Sequence, residues 1–145
     1  MTQKTLGSEY VITASPDATV SDLAGMMKDQ GIGDVIIVED ETPVGIVTDR
    51  DLAVKVLAEG GDPKTTRASE VMQENPVTVN RSDSIFKAVQ TMVKHGVRRL
   101  PILESGKLVN IITLDDALRI FSGGLSGLAQ VVEDDSPRRD LEDLQ

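Results

Sequence analysis

The chain has 145 residues, 24 of them acidic and 15 basic, for a formal net charge of −9. A surface of that sign repels phosphate backbones and argues against nucleic acid as a partner. Aromatic residues make up 2%, with no Trp and no Cys, which sets aside base-stacking platforms, disulfides and thiolate chemistry.

Hydrophobic residues are 39% of the chain, enough for an aliphatic core of Val, Ile, Leu and Met. The opening MTQKTLGSEY lacks the apolar stretch of a signal peptide. No apolar run approaches the ~20 residues of a membrane-spanning helix. The expectation is a soluble, cytoplasmic protein with no membrane partner.

In chain order, Val11–Thr13 reads as a short extended entry. Thr19 or Ser21 caps a helix whose apolar residues Val20, Leu23, Ala24 and Met27 fall at i, i+3, i+4, i+7, and Gln30-Gly31 stops it. Asp34–Glu39 is a β-branched strand, Asp40–Pro43 a polar turn, and Val44–Val47 a second strand. A helix follows over Asp49–Glu59, closed by Gly60-Gly61. Ala68–Gln73 reads as a short helix in a packed connection. Val77–Val79 is extended again. Ser84 caps a helix carrying Ile85, Ala88, Val89 and Met92, which ends at His95-Gly96. Arg99–Leu103 and Leu108–Ile112 are strands around a turn at Glu104–Lys107, and a last helix runs from Leu114 to about Phe121. The Gly/Ser-rich stretch that follows gives way to a brief apolar run, Leu128–Val132, and then to a nearly all-charged end.

The order repeats because the sequence repeats. Shifted by 65 residues without a gap, Thr13, Met27, Gly31, Val44, Ile46, Thr48 and Asp51 fall on Thr78, Met92, Gly96, Val109, Ile111, Thr113 and Asp116. Each unit is β-α-β-β-α, an α/β (α+β) pattern. Two short strands and two helices do not bury their own apolar faces, so the units are expected to pack together. The expected divisions are a first unit over 8–61, a connection over 62–73, a second unit over 74–122 and an acidic tail over 123–145.

At the same place in each unit stands Thr-x-x-Asp: Thr48-Asp49-Arg50-Asp51 and Thr113-Leu114-Asp115-Asp116. A Thr at a strand-to-helix junction with an acid three residues on is a helix cap with a capping-box partner. The same pair suits a ribose, because a carboxylate accepts from two adjacent sugar hydroxyls and free N–H groups at a helix start meet an anion. Both roles stay open on the residues alone. His95, the single His, suits a helix C-terminus and makes no zinc site without Cys. Glu39-Asp40-Glu41 lacks the spacing of a calcium loop. No nucleophile with a base and no glycine-rich phosphate cradle is present, which argues against an enzyme.

The segments GIVTDRDL (45–52), VMQENPVTV (71–79) and HGVRRLPI (95–102) together resemble the CBS-domain pair, or Bateman module, over roughly Val11–Phe121. It looks like the small stand-alone bacterial or archaeal type. The resemblance implies tandem repeats packed with pseudo-two-fold symmetry, a homodimer, and a regulatory, energy-sensing role. It implies no obligatory cofactor, a ligand such as AMP, ADP, ATP or a related adenosyl compound, and a regulated protein partner. The alternative is a structural dimerisation module with no nucleotide bound.

In the first unit the resemblance implies a ligand wall of Ile12, Thr13, Ala18, Ile32 and Gly33 with Thr48 and Asp51. In the second it implies Val77, Thr78, Asp83, Val97 and Arg98 with Thr113 and Asp116. Arg50, Arg98 and Arg99 are the candidates for a phosphate tail. Asn110 stands where the first unit has Gly45, Asp83 where it has Ala18, and Arg98 where it has Gly33. The two clefts are therefore expected to be unequal, the first-unit cleft being the more open.

Overall fold

A computed structural model describes residues 2–6 and 9–123, with side chains from residue 11 onward. The first lobe is a five-stranded sheet in the order β1-β2-β3-β4-β5, formed by β1 (Thr2–Leu6), β2 (Glu9–Ala14), β3 (Asp34–Glu39), β4 (Thr42–Thr48) and β5 (Gln73–Glu74). β2 and β3 run parallel, so their connection must cross over, and helix α1 (Val20–Gln30) makes that crossing. The second lobe repeats the arrangement with β6 (Val79–Asn80), α4 (Ile85–His95), β7 (Arg99–Glu104) and β8 (Lys107–Thr113), in sheet order β6-β7-β8.

Local chemistry sets the ends of these elements. Thr19, not Ser21, caps α1: its Oγ1 accepts from Asp22 N at 3.2 Å, and its own N–H donates to Asp22 Oδ2 at 3.3 Å. Gly31 and Gly96 close α1 and α4 at φ 64° and 66°, a left-handed conformation that glycine adopts without steric cost. The turns are tighter than expected. Asp40 and Glu41 (φ 50° and 66°) and Ser105 and Gly106 (φ 52° and 77°) each form a two-residue hairpin of the type that needs positive φ twice. Thr42, Pro43, Glu104 and Lys107 thus belong to strands.

After β4 comes a single turn, α2 (Asp49–Asp51), which passes into a π-type stretch over Leu52–Leu57 rather than a regular helix to Glu59. The wider winding shows in the bonds Ala58 N to Ala53 O and Gly61 N to Val56 O, both 2.9 Å. The connection is packed, as its composition suggests. Short helix α3 (Ala68–Val71) and β5 lie on the first lobe, with Ala68 N donating to Ala18 O at 2.8 Å and Val20 N to Thr66 O at 2.9 Å. The last helix, α5, covers 114–123. From residue 124 the expected tail lies outside the described residues.

The first lobe's core gathers Val20, Leu23, Met27, Val35, Ile37 and Val47 with Ala68 and Val71 of α3. Among the described residues the second lobe's core is smaller: Val79, Ala88, Met92 and Leu100. Between the lobes Val11 and Ile36 pack on Leu108. Around that contact Leu108 N donates to Glu41 O at 2.8 Å and Thr42 Oγ1 to Gly106 O at 3.1 Å. Arg99 and Asp34, equivalent positions of the two repeats, join in a two-pronged ion pair with Nε–Oδ2 2.6 Å and Nη1–Oδ1 3.0 Å.

Candidate functional site

Both Thr-x-x-Asp turns are helix caps in full. Thr48 Oγ1 accepts from Asp51 N at 3.1 Å, and Asp51 Oδ2 accepts from Thr48 N at 2.9 Å. Thr113 and Asp116 reproduce this at 3.1 and 3.0 Å. The remaining carboxylate contacts differ. Asp51 is buried at 6% exposure, paired with Lys55 Nζ at 3.2 Å and accepting from Gln73 Nε2 at 3.2 Å. Burial alone would lift its pKa, but the Thr48 backbone N–H, Lys55 and the Thr48 side chain together hold it below the ordinary value. Asp116 pairs with Arg119 Nη2 at 3.0 Å, and its side chain is more open, at 19% exposure against 8% for Asp51.

The other candidate residues do not converge on a single place. Ile12 and Ile32 of the first lobe share a cleft of about 70 Å³ with Arg99 and Ile111 of the second lobe, walled also by Val11, Asp34 and Ile36. Ile12 and Ile32 thus share this cleft with Ile111 of the second unit's β8, a strand that ends at Thr113. Strand alternation puts Ile111 and Thr113 on one face.

Thr13 is buried on β2, level with Ile36. Gly33 lies against Asp49: a Cβ there would meet Asp49 Oδ2 at 3.2 Å. At the same point of the second lobe Arg98 faces Leu114, and the backbone bond Asp49 N to Gly33 O (2.9 Å) recurs as Leu114 N to Arg98 O (2.7 Å). Ala18 lines a separate groove along α1. Asp83 lines a groove of about 350 Å³ on the second lobe, with Oδ1 on Lys87 Nζ at 3.1 Å and Oδ2 accepting from Asn80 N at 2.9 Å. The Asn80 N–H and Lys87 lower its pKa. Val77 and Val97 are half-buried against the second core, and Thr78 is half-buried beside them.

Of the cationic candidates, Arg50 and Arg98 are exposed. Arg99 is held by Asp34, a carboxyl whose pKa burial raises, with Arg99 pulling it back down and Asp49 adding to the rise. Among the described residues no cluster of His, Asp and Glu is arranged to hold a metal ion, and no helix is long and apolar enough to cross a membrane.

The CBS domain model matches twice, over residues 4–58 and 68–123. The chain belongs to the CBS-domain family. CBS-domain pairs are typically non-catalytic regulatory modules. It is 40% identical over 106 residues to the CBS domain-containing protein YhcV of Bacillus subtilis, covering 73% of this chain and 75% of that one. An uncharacterised Methanopyrus kandleri protein is 42% identical over 112 residues, 76% of this chain, but the match spans only 57% of that relative's length. Among solved structures, Hypoxic Response Protein I, crystallised with two coordinated zinc ions, superposes with TM-score 0.70 at 33% identity, covering 79% of this chain and 92% of that one. A CBS domain pair in complex with 5′-methylthioadenosine and S-adenosyl-L-methionine gives TM-score 0.68 at 26% identity, covering 81% and 92%.

Proposed function

We propose that this CBS-domain pair is a sensor that takes an adenosine-containing ligand between its lobes and passes the change in lobe geometry to a protein partner. The observation that carries the reading is the cleft where Ile12 and Ile32 face Arg99 and Ile111, next to a strand that ends in Thr113–Asp116. The apolar side chains suit an adenine face, Asp116 suits a ribose diol, and Arg99 suits a phosphate. The adenosyl complex of the relative at 26% identity supports the ligand class. By the same pseudo-symmetry, Val77, Thr78, Val97 and Arg98 with Thr48 and Asp51 make the second site, the more obstructed one because Lys55 and Gln73 already occupy Asp51.

About 70 Å³ holds two or three waters, whereas small-ligand sites run to about 300 Å³ or more. Binding therefore requires the lobes to part and Arg99 to exchange Asp34 for the ligand. That is how occupancy becomes a change of shape: the ligand has higher affinity for the parted arrangement. The protein acts in the cytoplasm as a homodimer. Val54 and Leu57 after α2, and Leu118 and Ile120 on α5, form exposed apolar surface on the matching helices of the two lobes, at 48%, 80%, 58% and 54% exposure. A second reading, a dimerisation module with no nucleotide, is favoured by the narrow cleft and the fully engaged caps.

Calorimetric and thermal-shift titration with AMP, ADP, ATP, NAD and S-adenosylmethionine separates the two. A true ligand at 100 times its Kd stabilises the fold by about 2.7 kcal/mol. Asp116→Asn is expected to weaken binding more than Asp51→Asn. Absence of any shift at millimolar ligand would leave only the dimerisation module.

A further inference from the structure

The groove of about 350 Å³ on the second lobe has a filled counterpart in the first. Its walls include Val79, Ile85, Ala88, Ile102, Asn110 and Ile112. Moved back by the repeat length, these are Ala14, Val20, Leu23, Ile37, Gly45 and Val47. Five of those six belong to the cluster that buries Ala68 and Val71 of α3. The sixth, Gly45, lies directly under Met72. The first lobe's slot is thus occupied by the chain that follows its π-type stretch. The second lobe's slot has the same walls and no occupant among the described residues.

We propose that residues 125–132 of this same chain dock in the second-lobe groove, as α3 docks in the first. The position of the segment is the first argument. In the first lobe the helix after the second hairpin touches the occupant of the slot, through Val56 in the shared core and Lys55 Nζ donating to Val71 O at 2.8 Å. In the second lobe the matching helix is α5, and the described chain ends there at residue 123, two residues before the segment begins. Phe121, the equivalent of Val56, is 38% exposed where Val56 is 5% exposed. An occupant of the slot covers it.

The fit is the second argument. LSGLAQVV carries no charge, and Leu125, Leu128, Ala129 and Val132 recur at i, i+3, i+4, i+7, one face of a helix. Set against α3, Leu125, Leu128 and Ala129 take the places of Ala68, Val71 and Met72. The sizes compensate. The small Ala88 replaces Leu23 in the wall, and the larger Leu125 and Leu128 replace Ala68 and Val71. Asn110 replaces Gly45, and Ala129 replaces the long Met72. At these five positions the gains and losses of volume nearly offset one another, while Val79, Ile85 and Ile112 are larger than Ala14, Val20 and Val47.

The chain has no Cys, so a double variant of the full chain, Asn110→Cys with Ala129→Cys, contains a single pair of thiols. Mild oxidation is expected to close it within one chain, seen as faster migration on a non-reducing gel at monomer mass. The pair Val93→Cys with Ala129→Cys, with Val93 on the outer face of α4 at 76% exposure, is expected to stay reduced. If the first pair stays reduced in folded protein, or links only two copies, the proposal is overturned. A separate measurement avoids the cysteines: Leu128→Asp in the full chain is expected to raise amide exchange around Ala88 and Ile112 by about tenfold, while the first lobe's slot is unaffected. Unchanged exchange overturns the proposal equally.

Discussion

Gly45→Ala tests whether the first-lobe slot is as tight as its geometry indicates. A Cβ at residue 45 would lie 2.7 Å from Met72 Cγ and 2.9 Å from Met72 Cβ, and closer still to the sulfur. Rotating the flexible thioether relieves the contacts with Sδ and Cγ. It does not relieve the contact with Cβ, which moves only with the backbone of the segment. That backbone is pinned by Ala68 N on Ala18 O at 2.8 Å and by the β5 pairing of Glu74 with Gly45 and Gln73 with Ile46. Overpacking of this kind costs roughly 1–3 kcal/mol. With one soft and one rigid contact, about 2 kcal/mol is expected, a fall in Tm of about 5–10 °C for a chain of this size. Urea unfolding followed by circular dichroism gives the number, with an unchanged slope marking a pure stability effect. In a Met72→Ala background two of the three close contacts are gone, and the penalty of the added methyl is expected to shrink by about 1 kcal/mol. A neutral Gly45→Ala, or penalties that simply add, would mean that the connection does not lie on β4 in solution. The equivalence of the two slots would then fail with it.

The acid response follows from two carboxylates of opposite sign. Asp51 has its pKa held below the ordinary 3.8, so it contributes stability above that value and loses it as pH falls through the lower folded value. Asp51→Asn is expected to be less stable at neutral pH, and its urea midpoint should fall less steeply than wild type from about pH 4 downward. Asp34, raised from 3.8, works the other way: its ionisation costs stability as pH rises through the raised value. Asp34→Asn should remove that upward cost, read from the same midpoint series. Arg99→Met leaves the Asp34 side chain, 13% exposed, without its two-pronged partner. A loss of about 1–2 kcal/mol is expected, since Arg99 itself is 42% exposed and partly screened. Adding Asp34→Asn should recover most of it, by chemical denaturation of the single and double variants.

The repeat made most of the fold legible, because helix caps, β-branched runs and turn residues recur at one spacing and each copy corroborates the other. What stayed hidden has physical causes. β1 reads TQKTL, without the apolar alternation that marks a half-buried strand. β5 is Gln-Glu, two polar residues whose strand character comes only from the edge of β4 that they meet. The close approach at Gly45 is made by the chain's own Met72, which no spacing in the sequence brings to β4. The caps at Thr48 and Thr113 were fully legible. The meeting of Ile12 and Ile32 with Arg99 and Ile111 was not, because that depends on how two lobes pack.

The Asp34–Arg99 bridge joins a position to its own repeat image. In a pair of identical repeats, residue 34 would confront a copy of itself across the axis, acid against acid or base against base. Opposite charges there exist only because the two copies have stopped being the same. The bridge works as a lock and key between the halves: two first units, or two second units, brought together in this geometry would place like charges in contact. This single contact therefore favours the pairing of a first unit with a second unit over the pairing of two like units.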